Sequence, residues 1–179
     1  MSASRRPIEE TCGVYRLNES HLPALQELAA DPAIAATTRV PHPYPPDGAA
    51  MFFAHLQRER AAGTAHVFAI EDEGRFVGLV GFHGISDGVG EIGYWVGRAE
   101  QGRGVGRHAV RSAVRVAFDY LRLRALWAEV LADNLPSIRI LESLGFRRVG
   151  ERAHDFPRWP KLVPLVRYEL ESDVSDVAR

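Results

Sequence analysis

The stretch Gln101-Gly102-Arg103-Gly104-Val105-Gly106 constrains the fold of this chain more than any other. A short aromatic and β-branched run precedes it, and the run that follows repeats apolar residues at helical spacing. A glycine-rich turn between a strand and a helix directs backbone N–H groups and the positive end of the helix macrodipole at one point. The pattern therefore predicts a site for a phosphate-bearing cofactor, contacted by all six loop residues and by Arg107.

Two common phosphate-binding motifs do not fit this loop. A P-loop ends in Gly-Lys-Ser/Thr, but no lysine follows the glycines here. The only lysine in the sequence is Lys161, far downstream. A dinucleotide fingerprint needs G-x-G-x-x-G, whereas Gly102, Gly104 and Gly106 give G-x-G-x-G. Too few strand and helix segments follow for the doubly wound fold that such a fingerprint requires. Nucleotide hydrolysis and nicotinamide chemistry are therefore disfavoured.

Gln101-x-x-Gly104-x-Gly106 resembles the Q/R-x-x-G-x-G/A signature of the GNAT superfamily of acetyl-CoA-dependent N-acetyltransferases. Residues 91–96 resemble the family's fourth strand, and residues 125–131 its fifth. The run Asn134-Leu135-Pro136-Ser137, with Leu-Glu-Ser-Leu-Gly-Phe at 141–146, resembles the branch that contains the ribosomal-protein N-terminal alanine acetyltransferases. The resemblance extends over residues 77–151.

The resemblance implies an α/β GNAT fold, with a mixed central sheet of about six to seven strands and flanking helices. Two parallel strands splay apart at the cofactor site in that fold. We expect one domain over residues 1–179, with a frayed tail at 171–179. From the patterning we expect strands at 13–17, 66–71, 75–84, 91–97, 125–131, 146–151 and 163–170, and helices at 19–30, 47–62, 106–121 and 135–144.

Acetyl-CoA is the cosubstrate that the resemblance implies. Its pantetheine arm is expected to pair with backbone groups of Trp95, Val96 and Gly97, since an extended chain with amides can add to a strand edge. Asn134 is expected to contact the pantetheine and Ser137 the CoA sulfur, although Asn before Leu-Pro-Ser is also a normal helix N-cap. A tyrosine common in the family is replaced here by Leu141. A catalytically weak CoA-binding sensor is therefore an alternative.

Acetyl transfer requires a neutral amine, so a base is expected at the site. Glu91 opens the central strand and is the first candidate, acting through water, with an exposed strand-end carboxylate as the alternative. His83, on the neighbouring strand, is the second candidate. Strict alternation places Glu91 on the face of Trp95, unless a bulge at Gly93 reverses the order. Ser137 is the expected catalytic contact to the leaving sulfur.

The acceptor is a primary amine, either a protein N-terminus or a small molecule. Tyr44, in the proline-rich segment 41–46, and Trp159, in segment 156–160, are expected to line its entrance together with His83. The same segments serve equally well as contacts of a homodimer. Pro164 stands where relatives in the branch often carry an aspartate, so their peptide specificity does not transfer.

Composition excludes several other classes. The net charge of −1 disfavours nucleic acid as a partner. No apolar run approaches the length of a membrane span, and no signal peptide is evident at the N-terminus. A single cysteine, Cys12, is typical of a reducing cytoplasm, where we expect the protein. The histidines lack ligand spacing, so no metal is expected.

Overall fold

A seven-stranded sheet with the order β1-β2-β3-β4-β5-β7-β6 organises the computed structural model, which describes residues 12–172. Neighbouring strands are antiparallel except β4 and β5, which run parallel. The strands are β1 Cys12–Arg16, β2 His66–Asp72, β3 Arg75–Ser86, β4 Val89–Val96, β5 Ala125–Leu131, β6 Arg147–Arg152 and β7 Leu165–Glu171.

Helices cover both faces of the sheet. A 3-10 turn, Glu19–His21, leads into the first of them, a second 3-10 turn, Arg98–Glu100, follows β4, and a π turn, Val116–Tyr120, continues the fourth helix. The helices are α1 Leu22–Ala29, α2 Pro32–Ala35, α3 Gly48–Ala61, α4 Val105–Arg115 and α5 Leu135–Ser143.

Each face of the sheet has its own apolar core. The core under α4 and α5 contains Val110, Leu126 and Leu141, all fully buried, together with the inward residues of β4. The core under α1 and α3 contains Leu25 and Leu79. Burying one such side chain contributes about 1.5–3 kcal/mol, so the apolar stripe that the sequence shows after the glycine-rich loop accounts for which face of α4 meets the sheet.

Two tight hairpin turns order the central strands. Glu73-Gly74 joins β2 to β3 and Asp87-Gly88 joins β3 to β4, and all four residues have positive φ. Consecutive positive φ values define the type I′ turn, whose twist matches that of the paired strands. Glycine takes this conformation without strain, which explains its place at the second position of both turns.

The parallel strands β4 and β5 pair over a short length and then separate. Their register joins Val89 to Ala125, Gly90 to Leu126 and Glu91 to Trp127, and pairing stops there. The rest of β4, up to Val96, continues beside β3 alone. The resulting opening, called here the β4–β5 gap, leads directly to the glycine-rich loop at the start of α4.

The predicted α/β fold with a mixed sheet and a parallel splayed pair is confirmed. The β3–β4 register runs without a shift from Gly78 opposite Val96 to His83 opposite Glu91, so no bulge occurs at Gly93. Helix α2 was not predicted. The last strand begins at Leu165, two residues later than predicted, because Pro164 lacks the N–H that a ladder needs.

Residues 173–179, most of the tail that we expected to fray, lie outside the described residues. Within residues 12–172, no helix has both the length and the apolar character needed to cross a bilayer.

Candidate active site

An open cleft of about 1510 Å³ follows the β4–β5 gap across the molecule. At one end it meets the glycine-rich loop and the first turns of α4 and α5. We call this end the cofactor half, residues 96–107 and 133–141. The other end lies between α1, α2, the start of α3 and segment 156–160, and is called the acceptor half.

Backbone conformation builds the loop of the cofactor half. Gly102 has φ +76° and Gly104, the N-cap of α4, has φ +87°, values that a side chain with a Cβ rarely adopts. The N–H groups of the first turn of α4 have no partner within the helix. Gly102, Gly104, Gly106 and Arg107 all line the cleft. They place a cluster of N–H groups and one positive charge at its wall.

Gln101 and Val105 support this loop in different ways. The Gln101 side chain lines the cleft and donates a hydrogen bond of 2.9 Å from Nε2 to the carbonyl oxygen of Val96, which ties the loop to the end of β4. Val105 is fully buried in the core below α4, so its backbone alone can reach a ligand. A Cβ on Gly106 would lie 3.2 Å from Ile140, which shows how closely α4 and α5 approach.

Arg103 was expected to contact phosphate, but the structure does not bring its side chain to the cleft. Its Nη1 lies 3.0 Å from Oδ2 of Asp72 and also contacts the Glu100 carboxylate. Asp72 is fully buried, and neither of its oxygens accepts a well-aligned hydrogen bond from the described residues. A buried carboxylate needs a nearby opposite charge, and Arg103 supplies it.

Two other arginines line the cofactor half where Arg103 does not. Arg98 follows β4, and Arg139 lies in the first turns of α5. The sequence analysis assigned neither of them to the site. Arg139 follows Ser137 by two residues, and this proximity to a predicted contact was the signal that could have found it. Together with Arg107 they give the cofactor half a positive wall, suited to a polyanionic ligand.

The free edge of β4 presents backbone groups to the β4–β5 gap. The N–H of Gly97 donates to the Val77 carbonyl at 2.7 Å, so Gly97 faces β3. Backbone directions alternate along a strand, so the N–H groups of Tyr94 and Val96 face the gap. Val96 and Trp95 line the cleft, whereas Gly97 packs against Leu28 beside it.

Asn134 and Ser137 form the first turn of α5, on the opposite side of the gap. The Asn134 side chain accepts a hydrogen bond of 3.4 Å from the Ser137 N–H, so it is the N-cap and also lines the cleft. The Ser137 hydroxyl shares a hydrogen bond of 2.7 Å with the hydroxyl of Tyr94. Burial raises the pKa of Tyr94 to about 12. The sequence analysis missed Tyr94, which places a protonated hydroxyl beside Ser137.

Glu91 and His83 face each other across β3 and β4 and both line the cleft. The Glu91 side chain is only 18% exposed, so the alternative of an exposed strand-end carboxylate does not describe it. Burial lowers the pKa of His83, and the charge of Glu91 opposes this effect. The lowered pKa favours the neutral ring of His83 and also makes it a weaker base than a free imidazole.

An ion-pair network not predicted from the sequence surrounds Glu91. Nη1 of Arg39 donates to Glu91 Oε1 at 2.7 Å, and Nη2 of Arg39 lies 3.5 Å from Glu129 Oε2. Glu129 is almost buried and accepts two hydrogen bonds from Arg152, at 2.7 and 2.6 Å. The hydrogen bond from Arg152 holds the pKa of Glu129 below its usual value. No local pattern marks these residues, because they come from distant segments.

Trp159 and Tyr44 line the acceptor half of the cleft, and their role toward an acceptor stays a prediction. Trp159 is 5% exposed, stacks on Phe156 with ring centroids 4.5 Å apart, and donates from its indole nitrogen to the Ala35 carbonyl at 3.4 Å. Burial raises the pKa of Tyr44, whose ring packs closely over Gly48. Trp159 is therefore a buried part of the wall of the cleft.

Among residues 12–172, no group of three or more histidine, cysteine, aspartate or glutamate side chains could hold a metal ion. That the protein uses no metal stays a prediction made from the sequence.

The family comparison agrees with this geometry. The sequence model of the family described as "Acetyltransferase (GNAT) domain" matches residues 14–147. The chain is 32% identical over 140 residues to the N-alpha-acetyltransferase RimI of Mycobacterium tuberculosis, a match covering 75% of this chain and 78% of RimI. It is 36% identical over 92 residues to the N-acetyltransferase p20 of Bacillus licheniformis, covering 49% of this chain and 52% of p20. The match thus spans about half the length of p20.

Solved structures share the fold at low sequence identity. The ribosomal-protein-S5-alanine acetyltransferase of Vibrio fischeri superposes with a TM-score of 0.81 at 20% identity, covering 93% of this chain and 96% of the other. The spermidine N-acetyltransferase of Vibrio cholerae, solved with CoA and spermine, gives a TM-score of 0.79 at 18% identity, covering 90% and 96%. One fold therefore carries acceptors as different as a protein and a polyamine.

Proposed function

The chain belongs to the GNAT acetyltransferase family, and on that premise we propose that it transfers an acetyl group from acetyl-CoA to a primary amine. One observation carries the proposal: the parallel strands β4 and β5 separate beside a glycine-rich helix N-terminus. This arrangement offers strand-edge hydrogen bonds and an anion site along one cleft. An acyl donor that combines an amide-bearing arm with a pyrophosphate needs both.

The residues of the cofactor half fit such a donor. The pyrophosphate would lie on the N–H groups around Gly104 and Gly106, with Arg107, Arg98 and Arg139 as counter-charges. The pantetheine amides would pair with the backbone of Val96 and contact Asn134. A Cβ placed on Gly93 meets only the His83 ring, at 4.0 Å, so there is open space over the centre of β4 for an acetyl group.

The reaction would proceed by direct attack. The acceptor ammonium gives up a proton to Glu91, through water, or to neutral His83. Its nitrogen then bonds to the thioester carbonyl carbon. The N–H of Val96 stabilises the oxyanion, the C–S bond breaks, and the sulfur leaves beside the Ser137 hydroxyl, which can supply a proton from the Tyr94–Ser137 pair. An α-amino group, about 10% neutral at pH 7, makes a small demand on the base.

A CoA-binding sensor without catalysis is the second candidate. The observation that favours it is Leu141, fully buried where many family members carry a tyrosine. The Tyr94 hydroxyl weighs against it, because it restores a protonated oxygen beside Ser137.

The test measures thiol release from acetyl-CoA against N-terminal peptides, lysine peptides, amino acids, polyamines and aminoglycosides, with calorimetric binding of acetyl-CoA in parallel. We expect binding with a micromolar-range Kd and turnover with one class of amine. Binding without turnover on any class would favour the sensor. Absence of binding would contradict the proposal altogether.

A further inference from the structure

The acceptor half holds two carboxylates, and both are neutralised by arginines of the chain itself. Glu91 pairs with Arg39 at 2.7 Å, and Glu129 pairs with Arg152 at 2.6 Å and with Arg39 at 3.5 Å. Two negative and two positive charges thus form one balanced network. His83 beside it is uncharged at pH 7 because burial lowers its pKa.

We propose that Arg39 determines acceptor specificity: by neutralising Glu91 and Glu129 it admits an amine carried on an uncharged body and rejects diamines and polyamines. The inference rests on the proposed function, because it concerns the acceptor of the same reaction. The fold alone does not decide between a peptide and a polyamine as acceptor, since one solved structure with this fold is a spermidine N-acetyltransferase.

The position of Arg39 suits this role. Its side chain is 47% exposed and lines the cleft between the two carboxylates. Its backbone is fixed on both sides: the Thr38 hydroxyl donates to the Ile34 carbonyl at 2.6 Å, and Arg158 donates to the Val40 carbonyl at 2.9 Å. The guanidinium is therefore a positive charge fixed at the position where the second ammonium of a diamine would otherwise pair with a carboxylate.

The rest of the acceptor half offers little to a polycation. Its walls are mainly apolar or aromatic, with the uncharged Thr37 and Thr38 among them, and within residues 12–172 they give a charged methylene chain no further counter-ion. The aromatic wall residues are Tyr44, Phe52, Trp95 and Trp159.

The consequence for charge selection is direct. A second ammonium brought next to Arg39 meets a like charge, and it must displace the guanidinium to reach Glu129. Like-charge contact in a partly desolvated cleft is a common basis of discrimination against the wrong partner. A single ammonium differs, because it loses its proton before attack and adds no lasting charge.

The experiment compares Arg39→Gln with Arg39→Lys, which keeps the positive charge. Initial rates give kcat/KM for two acceptors: an uncharged-bodied tetrapeptide amide with N-terminal alanine, and 1,4-diaminobutane. We expect Arg39→Gln to raise the diamine-to-peptide ratio about tenfold or more, and Arg39→Lys to leave it within about threefold of wild type.

A second variant ties the effect to the second carboxylate. Adding Glu129→Gln to Arg39→Gln is expected to cancel the gain for the diamine, because it removes the net negative charge that Arg39→Gln leaves on the network of Glu91, Glu129 and Arg152. An unchanged ratio in Arg39→Gln, or the same change in Arg39→Lys, would overturn the inference. Melting temperatures of all variants identify any that lose the fold.

Calorimetry separates this inference from the proposed function. Titration of 1,4-diaminobutane into CoA-loaded wild type and Arg39→Gln measures charge selection without turnover. Binding about tenfold tighter to the variant supports the inference even where no acceptor turns over, and equal binding contradicts it. Failure of the proposed function shows differently, as absence of acetyl-CoA binding to the wild type.

Discussion

The two halves of the cleft differ in whether backbone groups or side chains form them. The cofactor half is built mainly from backbone: positive-φ glycines, the first turns of α4 and α5, and the free edge of β4. The acceptor half is built from side chains that meet across the fold, with Arg39, Glu91, Glu129 and Arg152 from four separate segments. A backbone site needs a contiguous sequence pattern, whereas a side-chain network leaves no such pattern.

The largest effect is expected from Gly104→Val, a substitution in the cofactor half. The substitution forces a β-branched residue into φ +87° and places methyl groups at the anion site. We expect acetyl-CoA affinity to fall about 100-fold or more, measured by calorimetry. Gly63→Val is the matched control, because Gly63 has φ +74° and open space around it, away from the cleft. Equal loss of CoA binding in both variants would contradict a local role for Gly104.

The second-largest effect is expected on kcat, from a substitution of Glu91 in the acceptor half. Glu91→Gln keeps the shape of the side chain and removes its proton acceptor, so we expect kcat to fall about 10²-fold with the Kd for acetyl-CoA unchanged. Glu27→Gln, at an exposed position on α1 outside the cleft, is the control. A kcat close to wild type in Glu91→Gln would transfer the role of base to His83, and His83→Gln would then carry the loss.

Tyr94→Phe probes the boundary between the halves and is expected to have a moderate effect. It removes the hydroxyl that meets Ser137 at 2.7 Å while keeping the ring. We expect kcat to fall about tenfold, and CoA binding by less than about threefold, since one hydrogen bond is lost. Tyr120→Phe, at a position 79% exposed and outside the cleft, is the control. An unchanged kcat would remove Tyr94 from the leaving-group step.

The smallest effect concerns stability against pH. Burial lowers the pKa of His83 in the folded state, so below the unfolded value of about 6.5 the unfolded chain binds a proton that the folded chain does not. Stability therefore falls as pH drops through about 6.5 towards the folded pKa, by at most about 1.4 kcal/mol per pH unit.

Urea melts of wild type and His83→Gln between pH 5 and 8 check this. The variant should lose part of the pH dependence, and His66→Gln is the comparison because burial lowers the pKa of His66 in the same direction. The same slope in wild type and His83→Gln would contradict the assignment.

The sequence was most informative where structure is local. The alternation in β4 placed Glu91 on the face of Trp95, and the register without a shift at Gly93 agrees with it. Helix α2 was missed although its signal was present: Asp31 caps it by accepting from the Ala33 N–H at 2.8 Å, and Pro32 follows at the first helical position.

Arg103 shows why the remainder could not be predicted. Its place in the loop suggested a phosphate contact, but its direction is set by Asp72, which belongs to the β2 end of a hairpin thirty-one positions earlier in the chain. That Asp72 is buried is known only once β1 pairs with the end of β2. The same holds for Arg39, whose partners become visible only when β4 and β5 stand side by side.

The contacts of Arg158 and Trp159 have a further consequence, for the order in which the protein assembles during translation. These residues bond to Val40 and Ala35, partners 118 and 124 positions earlier. The strands, loop and helices of the cofactor half are joined by far shorter loops, and short loops close first. During translation, the unit from β4 through the glycine-rich loop to α4 is therefore contiguous in the emerging chain, whereas the contacts that close the acceptor half wait for residues 158 and 159.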